Sequence, residues 1–133
     1  MVRRRENQTT DAAAHGMADT IFLTMPTTSS LRPVATLVLG GLGSRLGLPY
    51  ERVDDLQLAV LSALSASSDE IVHLECTADD DSLGVDIGPL TSGTAADPAL
   101  RRVLDPLVDT VRPAEREGRE WLTLRISRQQ AGI

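Results

Sequence analysis

The most constraining stretch of the chain follows Pro49. Val53, Leu56, Val60, Ala63 and Leu64 recur there at helical spacing, so an α-helix starting at Pro49 would carry one apolar stripe. Glu51, Asp54 and Asp55 fall in its first turn, where the helix dipole favours acids. A stripe of this width must be buried against another layer. The flanking segments say what that layer is. DTIFLTM (Asp19 to Met25), stopped by Pro26, is rich in β-branched and apolar residues. Glu70 to Thr77 alternates Ile71, His73 and Glu75 with Val72, Leu74 and Cys76, and Ser82 to Gly88 resumes the extended pattern after Asp79-Asp80-Asp81, which predicts a hairpin. A last strand is expected from Glu120 to Arg128.

A first helix is expected to run to about Leu46, with Thr27, Thr28, Ser29 and Ser30 offering N-caps and Pro33 in its first turn. Gly40, Gly41 and Gly43 lie inside it, each about 1 kcal/mol worse than alanine in a helix. Close packing against a sheet or a second helix is the simplest compensation. Thr91 to Asp97 reads as loop, and Pro98 to Val111 as a helix that Pro106 kinks or interrupts. The order is β-α-α-β-β-α-β. It implies an α+β two-layer sandwich: a mixed, mostly antiparallel sheet with helices on one face and the other face partly open. Residues 1–16 lack apolar periodicity and read as a disordered tail, with Met17 as an alternative start and residues 17–133 as one domain.

Charge narrows the function classes. The 13 basic residues against 19 acidic ones give a net charge of −6, the wrong sign for a nucleic-acid partner. All the basic residues are arginine, so P-loop, Schiff-base and kinase strand-lysine chemistries lose their ammonium group. The lone Cys76 excludes an internal disulfide. No uncharged run reaches the roughly 18 apolar residues of a membrane span, and Arg3 to Arg5 lead into polar residues, so a cytoplasmic protein is expected.

Most local motifs dissolve on inspection. GGLGSRLG (Gly40 to Gly47) has Leu46 at the third glycine position of a nucleotide loop and lies within a helix. Asp79, Asp81 and Gly84 mimic a calcium loop, but Leu90 stands where a bidentate carboxylate is needed. His73 and Cys76, three apart on a strand, face opposite sides and cannot share a metal. Seven acids between Asp69 and Asp86, with no basic residue among them, form either a solvated turn or a surface for a basic partner. Such a run repels anions unless a metal or arginine intervenes.

The element order, with PYERVDDLQLAVLSAL and the pattern LDPLVDTV…EGREWLTLRIS, resembles the anti-sigma-factor serine kinases of the GHKL ATPase superfamily, from Asp19 to Arg128. The resemblance implies the histidine-kinase-like ATPase fold, with a general-base Glu and, one turn on, a Mg²⁺-binding Asn on the second helix. Ser62 and Ala66 occupy those positions; serine is no base at neutral pH and alanine offers no oxygen to a metal. The family's D-x-G-x-G adenine motif is met by Asp86 and Gly88, with Leu90 for the second glycine. Its glycine-rich lid would fall at Thr94 to Arg102, which has no glycine. The expectation is therefore a degenerate member with no cofactor, acting by binding a sigma factor or its antagonist, with homodimerisation through the first strand and helix a further family expectation. The alternatives are an active serine kinase using ATP and Mg²⁺, in which the register of the second helix differs or Asp69 or Glu70 substitutes as base, and a structural interaction domain.

Overall fold

The computed structural model describes residues 2–5, 19–26, 32–67 and 71–128. The chain runs β1 (Val2–Arg5), β2 (Asp19–Pro26), α1 (Arg32–Leu46), α2 (Tyr50–Ala66), β3 (Ile71–Ala78), β4 (Ser82–Leu90), α3 (Pro98–Leu104), β5 (Thr110–Arg116) and β6 (Arg119–Ser127). The strands form one sheet in the order β1-β2-β3-β4-β6-β5. The helices cover one face, giving the expected α+β two-layer arrangement.

The sheet departs from expectation in having only antiparallel pairings among the described strands. The connections explain this. Two helices between β2 and β3 send the chain out and back, so β3 returns against β2. The single helix α3 does turn β5 to run with β4, but β6 lies between them.

Two elements were not foreseen. Val2–Arg5, inside the stretch expected to be a disordered tail, pairs with the edge of β2 from Val2 opposite Leu23 to Arg5 opposite Thr20. Backbone hydrogen bonds need no apolar face, so periodicity gave no sign of it. The rest of that tail lies outside the described residues, as do the cap candidates Thr27 to Ser30. The helix expected to reach Val111 ends at Leu104, just before Pro106, and Thr110 enters β5. There Asp97 caps α3 by accepting from the Ala99 amide at 3.0 Å, with Pro98 in the first turn.

Turn chemistry fixes the remaining joints. α1 stops in a Schellman motif: Gly47, at φ 68°, donates to the Ser44 carbonyl, and the Leu48 amide to that of Gly43 at 3.0 Å. Glu117 and Gly118, both with positive φ, form the two-residue turn of the β5–β6 hairpin. The core lies between layers: Leu39, Leu56, Val60 and Leu64 from the helices meet Leu74, Leu83, Ile87, Leu122 and Leu124 from the sheet, all essentially inaccessible. None of the described helices is long and apolar enough to cross a membrane.

An ion pair ties α2 to the far edge of the sheet. Arg52 Nη2 stands 2.6 Å from Asp109 Oδ2, both largely buried, and the same oxygen accepts from the amide of Ser127 at 2.8 Å and its hydroxyl at 3.0 Å. Burial alone would raise the Asp109 carboxyl, but the Ser127 amide, Arg52 and the Ser127 hydroxyl together hold it below its ordinary value. A depressed carboxyl contributes stability that is present above its unfolded pKa of about 3.9 and lost as pH falls through the folded value. Urea midpoints should thus fall as pH drops from about 4 toward 2. Asp109→Asn should be less stable than wild type at pH 7, with the gap closing toward the acid end. A gap independent of pH would show that the carboxylate charge plays no part.

Candidate functional site

The two α2 positions sit where the helix runs beside α3. Ser62 donates its hydroxyl to the Leu58 carbonyl one turn back, at 2.8 Å, and Ala66 is exposed. Together with Leu58, Leu61, Leu100 and Val103 they line an open groove of about 430 Å³. None of the described residues lining it is ionisable. Leu58 and Val103 are about half exposed on its walls, at 49% and 47%. Its walls suit apolar side chains, and Ser65, which also lines it, accepts from Arg32 Nη1 at 2.8 Å.

Asp86 and Gly88 are elsewhere. Their neighbours Val85 and Ile87 point into the helix-covered core, so strand alternation turns Asp86 and Gly88 to the opposite face of the sheet. The sequence-derived site is therefore split by the sheet: Ser62 and Ala66 share one groove, and Asp86 and Gly88 share the open face.

On the open face Asp86 belongs to a polar cluster. It lies directly opposite Glu75 on β3, a like-charge cross-strand pair that would be destabilising alone. Arg116, at the end of β5, bridges both: Nη2 to Asp86 Oδ2 at 2.7 Å and Nη1 to Glu75 Oε2 at 3.2 Å. Thr123 donates its hydroxyl to the other Asp86 oxygen at 2.6 Å. The Arg116 guanidinium also lies 4.2 Å from the centre of the Trp121 ring. Trp121 is in turn nearly parallel to His73, their centroids 6.5 Å apart, and the Nδ1 of His73 is 2.8 Å from the Thr24 hydroxyl. Gly88 makes the stack possible, because a Cβ there would overlap the indole.

The acidic run thus resolves into parts. Arg116 bridges Glu75 and Asp86 and offsets one of their two charges. Asp79 closes the β3–β4 turn by accepting from the amides of Asp81 and Ser82 at 3.0 and 2.8 Å. Burial would raise its carboxyl, but these amides, the Ser82 hydroxyl and Arg125 bring it below the ordinary value. Asp80 and Asp81 are exposed, and Asp69 and Glu70 lie outside the described residues. On the reverse side of β3, burial pushes the Cys76 thiol up to about 12, with Asp86 and Glu75 adding to the shift. His73 and Cys76 lie on opposite faces, as the strand spacing required. No group of three or more potential metal-ligating side chains is gathered among the described residues.

The loop before α3 is held by a carboxylate of its own chain. Glu120 accepts from the Gly93 amide at 2.6 Å and from the Ala95 amide at 3.0 Å, and these two amides, more than any burial, hold its carboxyl below the ordinary value. Arg101, within the segment expected to hold the lid, pairs with Asp105 one turn on at 2.7 Å. Arg116 and Glu120 carried no local signal in sequence, since their hydrogen-bond partners are between 25 and 41 residues away. Trp121, the only tryptophan, was the one available hint. No protein-family model and no curated protein sequence matches the chain.

The sole tryptophan makes the open-face cluster directly readable. Gly88→Ala should push the indole out of its stack, shifting its emission to the red and lowering stability by about 1–3 kcal/mol, the usual effect of overpacking. An unchanged spectrum and midpoint would mean that the ring accommodates the methyl without leaving Arg116.

Proposed function

We propose that this chain is a regulatory binding protein of the anti-sigma type on a GHKL-like scaffold, holding a sigma factor or its antagonist rather than transferring phosphate. The observation that carries this reading is the division of the site. A phosphotransferase of that family needs the base, the metal ligand and the adenine-binding Asp around one nucleotide. Here the α2 positions face an apolar groove, and Asp86 lies across the sheet, occupied by Arg116 and Thr123. The succession β2-α1-α2-β3-β4-α3-β6 supports the scaffold assignment, with β1 and β5 as additional edge strands. In this reading the Gly93 and Ala95 amides serve the loop through Glu120, and the protein works in the cytoplasm without a bound nucleotide.

Titration calorimetry with ATP and Mg²⁺ is expected to give no binding tighter than about 1 mM, near −4 kcal/mol, whereas a host sigma factor or antagonist should form a complex under the same conditions. The double variant Ser62→Glu, Ala66→Asn should remain without turnover, because Asp86 would still face away from α2. Micromolar, Mg²⁺-dependent ATP binding would instead favour the active serine kinase. Failure of every host sigma factor and antagonist to bind would leave the structural interaction domain.

A further inference from the structure

The glycines of α1 separate into two kinds. A Cβ at Gly43 would overlap the Val53 side chain, and one at Gly40 would stand 3.3 Å from the Gln57 amide nitrogen. Both are explained by the α1–α2 contact. Gly41 is not: a Cβ there meets no atom within 4 Å. Alanine would fit and would favour the helix, so nothing within the described fold calls for glycine at this position.

Gly41 forms part of the floor of a groove of about 630 Å³ between the outer sides of α1 and α2. Leu37 borders one end and Tyr50 the other, at 75% and 82% exposure the two most exposed large apolar side chains described. From Leu37 to Ser44 the groove follows α1 for about 10 Å, two helical turns. Among the described residues the one charged side chain lining it is Asp54, with Glu51, also exposed, one turn earlier on α2.

We propose that this groove is the docking site for an amphipathic helix of a partner protein, with small apolar side chains against Gly41 and a Lys or Arg beside Asp54. Two neighbouring helices with glycine between them match the way a third helix lies in the groove between two others, and glycine lets its backbone come close. Leu37 and Tyr50 would clasp the apolar stripe at either end. The charge selects the occupant: no cation is among the described residues lining the groove, and a second copy of this chain laid on the same face would bring a second acidic rim. The inference goes beyond the regulatory reading, which names no surface, and does not require the partner to be a sigma factor.

Tyr50 is the only tyrosine in the chain, so the full-length protein labelled with 3-fluorotyrosine gives a single fluorine resonance within the groove. The probe is a synthetic helix of about 18 residues with a Leu/Ala stripe flanked by lysines, compared with the same peptide carrying glutamates. The lysine peptide should shift the Tyr50 resonance saturably with a midpoint below about 100 μM, and the glutamate peptide should bind at least about tenfold more weakly. Asp54→Asn should narrow that difference. Gly41→Leu should weaken the lysine peptide at least about tenfold without lowering the melting temperature. Leu37→Asp, a change at an exposed rim residue, should do the same should the helix not tolerate leucine. No saturable shift, a shift indifferent to both variants, or a resonance that moves with protein concentration alone would overturn the proposal, the last by showing a second copy in the groove. A sigma factor that bound while the peptide did not would leave the regulatory reading intact and remove only this site.

Discussion

Leu56, Ala59, Val60 and Ala63 are completely buried along one side of α2, pressed onto the centre of the sheet where β4 and β6 run side by side. Each large apolar side chain removed from water there contributes roughly 1.5–3 kcal/mol, and the sheet answers with an unbroken inner face of Leu83, Val85, Ile87, Leu122, Leu124 and Ile126. That contact sets the rest. It fixes which face of each strand is interior and so sends Asp86, Trp121 and Thr123 outward. It also leaves the opposite side of α2 to form grooves with α1 and α3. A one-residue slip of β4 would bring Asp86 into the core.

The outer face is organised by a second constraint. Strand pairing places Glu75 against Asp86, and the fold answers this repulsion with Arg116, delivered by the β5–β6 hairpin and spread over Trp121. The same hairpin places Glu120 under the loop that precedes α3. One two-residue turn therefore serves both places: the strands it joins bring Arg116 to Asp86 and Glu120 to the Gly93 and Ala95 amides. The reading of a binding protein without phosphoryl transfer rests on these contacts as much as on Ser62 and Ala66.

What was legible in the sequence follows from how local each signal is. α2 and the β3–β4 hairpin were readable because periodicity and turn residues lie within one segment. β5 was not. Only Val111 and Ala114 interrupt its polar run, and Pro113 suggests a break; yet an edge strand tolerates both, since its outer side pairs with none of the described strands. The apolar spacing of LDPLVDTV drew the expected helix past Pro106, whereas Leu107 and Val108 serve the core from a turn. At the site, the identities at Ser62, Ala66, Asp86 and Gly88 were plain, but their separation by the sheet was not, because it depends on which face of β4 the helices cover. The glycines of α1 show the same limit: spacing flagged three, and only the packed structure distinguishes Gly43, which Val53 requires, from Gly41, which nothing in the described fold requires.

Phosphoryl transfer tests the central claim most directly. The full-length protein would be incubated with ATP labelled in its γ-phosphate, Mg²⁺ and each sigma-factor antagonist of its host, and label followed on protein serine. With the α2 positions in an apolar groove and Asp86 held by Arg116 across the sheet, the account predicts no label above that of a protein-free control. Label appearing on an antagonist serine, and lost when Asp86 is changed to Asn, would contradict it.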